Sequence, residues 1–387
     1  MPTALATQQQ LVEQVHASGQ RLVLALTGGG SGAISSLLSV PGASRSILAA
    51  TVPYSQAALV EWLGGTPDEA CSSRTARAMA MAGYLKAQKY AAASGGSEGG
   101  VAGVACTASL ASDRPKRGSH RAHLAWQSAQ TTATYHVEFK KGLRTRAEEE
   151  TLLARLVLNV AAQACGLAVQ TELSLSSGEA IEIERAEASA DEQDLLSGQL
   201  AAIRRGSSPT GSGTPQVVFP GAFNPAHDAH RQMIEVARRR LGQEVACEIS
   251  IENVDKPPLD FLEIQTRAQQ FPTDAKLWFT RAPSFAKKAE IFPGATFVVG
   301  ADTIERVGQG RYYGDNPAAL SAAIAKIAAQ GCRFLVFGRV VDGKFQSLED
   351  LRLPVELAKL CQGVPELEFR SDLSSTELRR QALAGGE

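Results

Sequence analysis

The stretch from Val217 to Leu241 constrains this chain more than any other. It opens with an apolar run that predicts a buried strand, and it closes with apolar residues at helical spacing. A strand, a glycine turn and a helix N-terminus together form a site that favours anion binding. The unpaired N–H groups of the turn and the positive end of the helix dipole both point toward the bound anion. The turn between them contains one glycine and two histidines: Gly221, Ala222, Phe223, Asn224, Pro225, Ala226, His227, Asp228, Ala229 and His230.

The two histidines allow other interpretations. They could belong to a zinc site, or they could be two surface residues of a loop. Zinc needs three or four protein ligands, and neither a cysteine nor a further histidine lies near His227 and His230. We therefore predict no metal site and expect the histidines to donate hydrogen bonds to phosphate oxygens.

The C-terminal half alternates strand and helix patterns, which predicts a parallel sheet with helices on both faces. Ligands of such sheets bind at the carboxyl ends of the strands, where the strand order switches. The predicted strands are 216–219, 245–251, 276–280, 296–299, 333–337 and 367–370, and the predicted helices are 229–241, 259–270, 284–291, 317–329 and 374–384.

Further segments follow these strands. Gly300 and Asp302 come after a buried strand, where glycine would let the backbone approach a nucleotide and the carboxylate could accept from a ribose or base; Asp302 could equally be a helix N-cap. Lys256 follows the second strand with Asn253 and Asp255. The sequence Leu373-Ser374-Ser375-Thr376-Glu377-Leu378-Arg379 lies near the C-terminus, where Ser374 and Glu377 could also form a simple capping box.

Together these segments resemble the nucleotidylyltransferase superfamily. Its G-x-F-x-P-x-H-x-G-H signature is matched except that Ala229 replaces the second glycine, and its I-S-S-T-x-I-R signature resembles residues 373–379. The Gly300-Ala301-Asp302 segment resembles an element of nicotinate mononucleotide adenylyltransferases, as does Pro283-Ser284-Phe285. The matched residues of the first signature are Gly221, Phe223, Pro225, His227 and His230.

The resemblance implies a nucleotidyltransferase that moves AMP from ATP onto a small phosphate-bearing acceptor, a pyridine mononucleotide, and releases pyrophosphate. His227 and His230 would stabilise developing charge, Arg379 would hold the outer phosphates, and Lys256 would be a second cation. Mg²⁺ would arrive with the triphosphate. The nucleotide-binding residues would be Gly221, Ala222, Phe223, Gly300, Asp302, Ser374, Ser375 and Thr376.

Two alternatives to an adenylyltransferase stay open. One is a transferase that uses CTP or a pantetheine-phosphate-type acceptor. The other is a non-catalytic nucleotide-binding regulator, which Ala229 and the altered N-terminal half would suit.

Composition limits the partners. The net charge of −1 provides no field that would recruit nucleic acid, and no apolar run is long enough to cross a membrane. Six cysteines without paired spacing suit a reducing cytosol, and the N-terminus lacks a signal pattern. We therefore expect a cytoplasmic protein whose partners are small nucleotides, and a homo-oligomer is compatible with this composition.

A chain of 387 residues should hold two or more domains. The tract 204–215 has almost nothing to bury and reads as a linker. A strong helix, opened by a capping box of Thr145 and Glu148, ends near Gly166. We expect an N-terminal domain over 1–170, an appendage and linker over 171–215, with a strand at 180–183 and a helix at 195–203, and a C-terminal domain over 216–387.

The N-terminal half also contains a predicted strand that runs into a glycine turn, and this turn is Thr27-Gly28-Gly29-Gly30-Ser31. With Val40-Pro41-Gly42-Ala43-Ser44-Arg45 and Pro53-Tyr54-Ser55, it resembles the CinA-type nicotinamide-nucleotide amidase domain. The fold class implied for the whole chain is α/β, with a CinA-like domain followed by a Rossmann-like parallel-sheet domain.

Two departures from the amidase pattern bear on activity. Thr27 stands at the position of the nucleophilic serine, and Leu59 stands at that of the lysine, although Tyr54 is retained. A hydroxyl nucleophile needs an adjacent base, which leucine cannot be. We expect a degenerate pocket at Thr27, Gly28, Gly29, Gly30, Ser31 and Tyr54 that binds phosphate without hydrolysis. A basic run, Arg114 to His123, is either a solvated loop or an anion clamp.

Overall fold

The computed structural model describes residues 4–93, 99–114, 116–206, 213–252, 257–341 and 343–370. Contacts divide the chain into two compact units. The first runs to Gln193 and includes the stretch that ends at Gln265; the second comprises Asp194–Glu252 and the residues from Thr266 onward.

The first unit is built on a mixed sheet. The strands of the unit are β1 (Ala4–Leu5), β2 (Arg21–Thr27), β3 (Ile47–Thr51), β4 (Val101–Ser109), β5 (His120–Gln127), β6 (Thr131–Phe139), β7 (Val169–Gln170) and β8 (Ile181–Glu187). Six of them form the sheet in the order β3-β2-β4-β5-β6-β8, in which β3, β2 and β4 are parallel and the other pairs are antiparallel. A small parallel pair joins β1 to β7. The helices are α1 (Gln8–Ala17), α2 (Gly32–Ser39), α3 (Ala43–Ser46), α4 (Gln56–Leu63), α5 (Ser73–Ala93) and α6 (Arg146–Ala164). A further helix, α7 (Ala190–Ser197), spans the boundary between the units.

Strand β2 is buried on both faces, which explains its continuous apolar run. Leu22, Leu24 and Leu26 pack with α1, α2 and α6 on one face, and Ala25 packs with α4 and α5 on the other. Helix α5 lies unusually close to the sheet, because a Cβ on Gly103 would fall 2.0 Å from the Ala80 carbonyl oxygen. The small residues of α5 permit this approach.

The stretch 257–265 belongs to the first unit, although it follows a strand of the second. Arg77 of α5 pairs with Asp260 at 3.2 Å and with Glu263 at 3.1 Å, and the Phe261 N–H donates to Thr132 Oγ1 at 3.0 Å. Burial raises the pKa of Asp260, while Arg77 opposes that rise.

The second unit contains a seven-stranded sheet. Its strands are β9 (Ala202–Arg204), β10 (Val217–Pro220), β11 (Val245–Ser250), β12 (Leu277–Thr280), β13 (Thr296–Gly300), β14 (Arg333–Phe337) and β17 (Cys361–Val364), and β15 (Arg339–Val341) pairs separately with β16 (Lys344–Gln346). The order of the sheet is β17-β14-β13-β10-β11-β12-β9, and all of its strands are parallel except β9. Val298 is buried between buried Phe297 and Val299, so both faces of the sheet are covered. The helices are α8 (Asp228–Leu241), α10 (Phe285–Ile291), α11 (Ala301–Val307), α12 (Pro317–Ala329) and α13 (Val355–Ala358), with 3₁₀ turns at Gly310–Tyr313 and Leu348–Asp350. Helix α9 (Phe261–Ala268) belongs to the first unit up to Gln265 and to the second unit from Thr266 onward.

Most predicted elements match these bounds, including the parallel sheet and the Thr145–Glu148 capping box. The strand predicted at 367–370 is wrong: Leu367 is fully exposed, and Cys361–Val364 pairs with β14 instead. The helix predicted at 195–203 is also wrong. The observed helix, α7, ends at Ser197, and residues 202–204 form a strand that pairs with β12. The stretch expected as appendage and linker thus contributes a strand to each sheet. The helix predicted at 374–384 lies outside the described residues.

Within the described part of the chain, no helix combines the length and the apolar character needed to cross a membrane.

Candidate functional site

The histidine turn begins where the strand order of the second sheet switches. Strand β10 pairs with β11 on one side and with β13 on the other. The chain builds β11 and β12 on the first side before it returns to β13, so the carboxyl end of β10 is a topological switch point. The turn is therefore at the place where such sheets bind ligands.

Gly221 lets the turn fold tightly onto itself. Its N–H donates to the Glu248 carbonyl at 2.9 Å, and a Cβ at this position would fall 2.7 Å from Phe223 Cζ. Phe223 itself has a left-handed φ of 44° and is almost fully buried. Its ring makes edge contacts with Phe219 and Phe271 at centroid distances of 5.3 and 5.1 Å. The aromatic cluster therefore offsets the strain at Phe223.

His227 and His230 lie together at the start of α8. His227 is the N-cap, and its backbone N–H donates to His230 Nδ1 at 3.2 Å. The two rings stack with centroids 3.7 Å apart, and the His230 ring also contacts Phe223 at 5.0 Å. The predicted proximity of the histidines to a helix N-terminus is thus present in the geometry.

Burial sets the protonation of both histidines. Burial lowers the pKa of His230 to about 4, and the neighbouring His227 contributes less to this shift. Burial also lowers the pKa of His227, while Asp228 acts to raise it. A neutral imidazole whose Nδ1 accepts a hydrogen bond carries its proton on Nε2. His230 is therefore a neutral Nε2–H donor at neutral pH.

Two residues that the sequence analysis missed brace this turn. Gln270 accepts from the Ala226 N–H at 2.7 Å and donates to the Phe223 carbonyl at 3.0 Å, and Arg267 donates to the Ala222 carbonyl at 3.0 Å. Both follow the start of α9, some forty residues along the chain, and nothing in their local pattern distinguishes them from ordinary helix-surface residues.

A buried ion pair lies beside the turn and was also missed. Lys288 Nζ is 2.7 Å from both carboxylate oxygens of Glu248, and Thr280 donates to the same carboxylate at 2.5 Å. Both charges are nearly inaccessible to solvent. The signal in the sequence was a glutamate inside an apolar strand, which requires a buried partner.

Gly300 and Asp302 lie at the end of β13, the strand next to β10. Gly300 is the N-cap of α11, so Asp302 is not the cap. Asp302 pairs with Arg306 one turn later at 3.4 Å, and both side chains are partly exposed. A Cβ on Gly300 would fall 2.9 Å from Asp302 Oδ1. Both residues are on the edge of the sheet that carries the histidine turn.

The other predicted residues of this site lie outside the described residues. They are Lys256, Ser374, Ser375, Thr376 and Arg379, and their roles stay predictions. Among the residues that are described, no group of three or more His, Cys, Asp or Glu side chains is arranged to hold a metal ion.

The N-terminal glycine turn follows β2, which also lies at a switch point because it pairs with both β3 and β4. Thr27 is nearly buried, and Gly28 has a φ of 77° with no room for a Cβ, which would fall 1.9 Å from the Ala108 carbonyl oxygen. Tyr54 is 69% exposed, whereas Leu59 is 4% exposed within the apolar core. Position 59 therefore faces apolar residues.

Residues 218–381 match the sequence model of a family described as cytidylyltransferase-like. This match covers the histidine turn, both strands next to it and the segment around Arg379. No curated protein matches the chain.

Solved structures of CinA-superfamily proteins are similar to the N-terminal part. The competence/damage inducible protein CihA from Agrobacterium tumefaciens is 18% identical, with 43% of this chain and 96% of that chain covered and a TM-score of 0.30. A CinA-superfamily protein from Escherichia coli is 19% identical, with 42% and 93% covered and a TM-score of 0.31. One from Klebsiella pneumoniae is 13% identical, with 42% and 99% covered and a TM-score of 0.33.

The predicted resemblance of the C-terminal half to the nucleotidylyltransferase superfamily is thus confirmed by the family match over residues 218–381, which include the parallel sheet and the histidine turn.

Proposed function

We propose that the second unit transfers AMP from ATP onto a pyridine mononucleotide and releases pyrophosphate. The coarser function, nucleotidyl transfer, follows from the family match. The observation that carries the proposal is His230, a neutral Nε2–H donor held at the first turn of α8 at the switch point of the sheet.

In this reaction an oxygen of the acceptor phosphate attacks the α-phosphorus of the triphosphate. The bond between the α-phosphorus and the bridging oxygen breaks, and pyrophosphate leaves with that electron pair. The protein mainly orients the reactants and stabilises charge. Because His230 stays neutral, it donates a hydrogen bond to a phosphate oxygen but binds the product less tightly than a permanent cation would. His227 stacks on it and limits its ring to one orientation.

The remaining charge would be balanced by groups outside the described residues. Arg379 would hold the outer phosphates and Lys256 the acceptor side. Mg²⁺ would be delivered with the triphosphate and would neutralise its outer oxygens. Arg379→Ala should therefore weaken triphosphate binding, and Arg379→Lys should restore only part of it because an ammonium lacks the bidentate fork.

Cytidylyl transfer is the second candidate, and the description of the matched family favours it. Pyrophosphate release, measured with ATP and CTP against nicotinate mononucleotide and phosphopantetheine, separates the candidates. Release with ATP and the pyridine mononucleotide is expected. Release with CTP alone would replace the proposal, and triphosphate binding without release would indicate a regulator.

We further propose that the first unit has lost amidase activity. Leu59 is packed in the core at the position where the resemblance places a base, and Tyr54 faces solvent. The full chain should release no ammonia from nicotinamide mononucleotide. Ammonia release that disappears in Thr27→Ala would refute this.

A further inference from the structure

The glycine turn of the first unit has the features of an anion site. It follows β2 at a switch point, and its backbone leads directly into α2. Free N–H groups in such a turn are the donors that hold phosphate oxygens in parallel α/β sheets. Whether this turn takes a ligand therefore depends on what those donors contact.

The donors are already used by a carboxylate of the same chain. Glu150 Oε2 accepts from the Gly30 N–H at 2.8 Å. Glu150 Oε1 accepts from the Gly32 N–H at 3.2 Å and from Ser31 Oγ at 3.1 Å. One side chain from α6, about 120 residues along the chain, thus fills the position that a phosphate would occupy.

Neighbouring residues of α6 hold this arrangement in place. Arg146 Nη2 donates to the Gly28 carbonyl at 2.8 Å, so the turn is fastened at both of its ends. Glu149 accepts from the Ala111 N–H at 2.6 Å and lies 2.7 Å from His120 Nδ1, which fastens the loop after β4 to the same helix. The loops after two adjacent parallel strands are therefore both tied to the start of α6.

Little space remains beside the carboxylate. A Cβ added at Gly29 would fall 3.2 Å from Glu150 Oε2 and 2.6 Å from Leu110 Cδ1. A phosphate could not enter next to Glu150, because two adjacent anions repel each other and because the N–H and O–H donors of the turn already bind the Glu150 carboxylate.

We propose that Glu150 is an internal ligand that closes the glycine turn of the first unit to phosphate-bearing molecules. The turn keeps the geometry of an anion site, but its anion is a side chain of the protein. Removing the carboxylate should loosen the turn and open it to inorganic phosphate.

The test follows the backbone amides of Gly30 and Gly32 in the full chain by NMR, which separates this turn from any phosphate bound elsewhere. Wild type, Glu150→Ala and Glu150→Gln are compared, and Glu61→Gln, an exposed glutamate on α4, is the control. Glu150→Gln preserves side-chain volume, so it reports the loss of charge even where alanine disturbs the fold.

In both Glu150 variants, hydrogen exchange at these amides should accelerate by about tenfold or more, because their acceptor is lost or weakened. In Glu150→Ala, millimolar inorganic phosphate should shift both resonances saturably, whereas wild type and Glu61→Gln should not respond. Saturable shifts in wild type that equal those in Glu150→Ala would overturn the proposal, as would unchanged exchange in both variants or a lack of any phosphate response in Glu150→Ala.

Discussion

The two glycine turns of this protein begin alike and end differently. Each follows a buried parallel strand at the switch point of its sheet, and each leads into a helix. In the first unit, Glu150 uses the donors of the turn. In the second, the turn ends in His227 and His230, whose stacked rings lie at the start of α8. The local motif provides donors, but distant residues decide whether a ligand can use them.

The side chains that bind the two turns also differ in charge. Glu150 and Arg146 bind the first turn directly at its donors and at Gly28. Gln270 and Arg267 bind backbone groups of residues 222, 223 and 226 in the second turn. Neither Gln270 nor Arg267 is an anion, and under the proposed function the Nε2–H of His230 would donate to a substrate.

The largest expected effect concerns packing at Gly28. Gly28→Ala would place a Cβ 1.9 Å from a carbonyl oxygen at a left-handed φ, and it should lower the free energy of unfolding by about 3 kcal/mol or more. Gly166→Ala is the matched control, since it has a similar φ but open space, and should cost about 1 kcal/mol. Urea unfolding measures both. Equal losses would mean that the first turn is not closely packed.

The next effect concerns the histidine turn of the second unit. His230→Ala should reduce turnover in the pyrophosphate assay by about a hundredfold, the usual effect of losing one oriented donor. Ser31→Ala in the first turn and Gln232→Ala on the exposed face of α8 should leave turnover unchanged. A similar loss in Ser31→Ala would show that the first turn also serves catalysis, and the contrast between the turns would fail.

Gln270→Ala should have a smaller effect. It removes both hydrogen bonds that hold the Phe223 carbonyl and the Ala226 N–H, so turnover should fall by about tenfold with little change in melting temperature. Gln270→Glu keeps the acceptor for Ala226 and should recover part of the rate. Faster hydrogen exchange at Ala226 would report the loss of the brace even in the absence of turnover; unchanged exchange would show that Gln270 does not hold the turn.

The smallest effect is the pH dependence of stability. His230 has a folded-state pKa of about 4, lowered by burial from an ordinary value near 6.5. Between these values the unfolded chain binds a proton that the folded chain does not, so stability falls as pH falls through this window. Unfolding in urea at pH 7 and pH 5 should differ by on the order of 1 kcal/mol from this residue. In His230→Gln, the difference between the unfolding free energies at pH 7 and pH 5 should be smaller by this amount. An unchanged difference would mean that burial does not lower the pKa of the His230 ring.

Several parts of this structure were predictable from local pattern. The apolar runs of β10, β13 and β14 gave strands within a residue or two of the observed bounds, and α12 matched its prediction. The histidine turn could be located because its residue types and spacing are local. The strand predicted at residues 367–370 was wrong, because an apolar pattern alone does not reveal which of two nearby segments pairs with β14.

The sequence by itself determined the α/β class, the two glycine turns and the place of His227 and His230 at a helix start, because each depends on neighbours within a few residues. Only the tertiary structure decided which turn is closed. Glu150 looks like an ordinary helix-surface glutamate, and Gln270 like an exposed helix-end residue, until folding brings them to backbone groups far away in the chain. Hydrogen-bond donors are matched to acceptors by distance in space, and a linear pattern does not contain that distance.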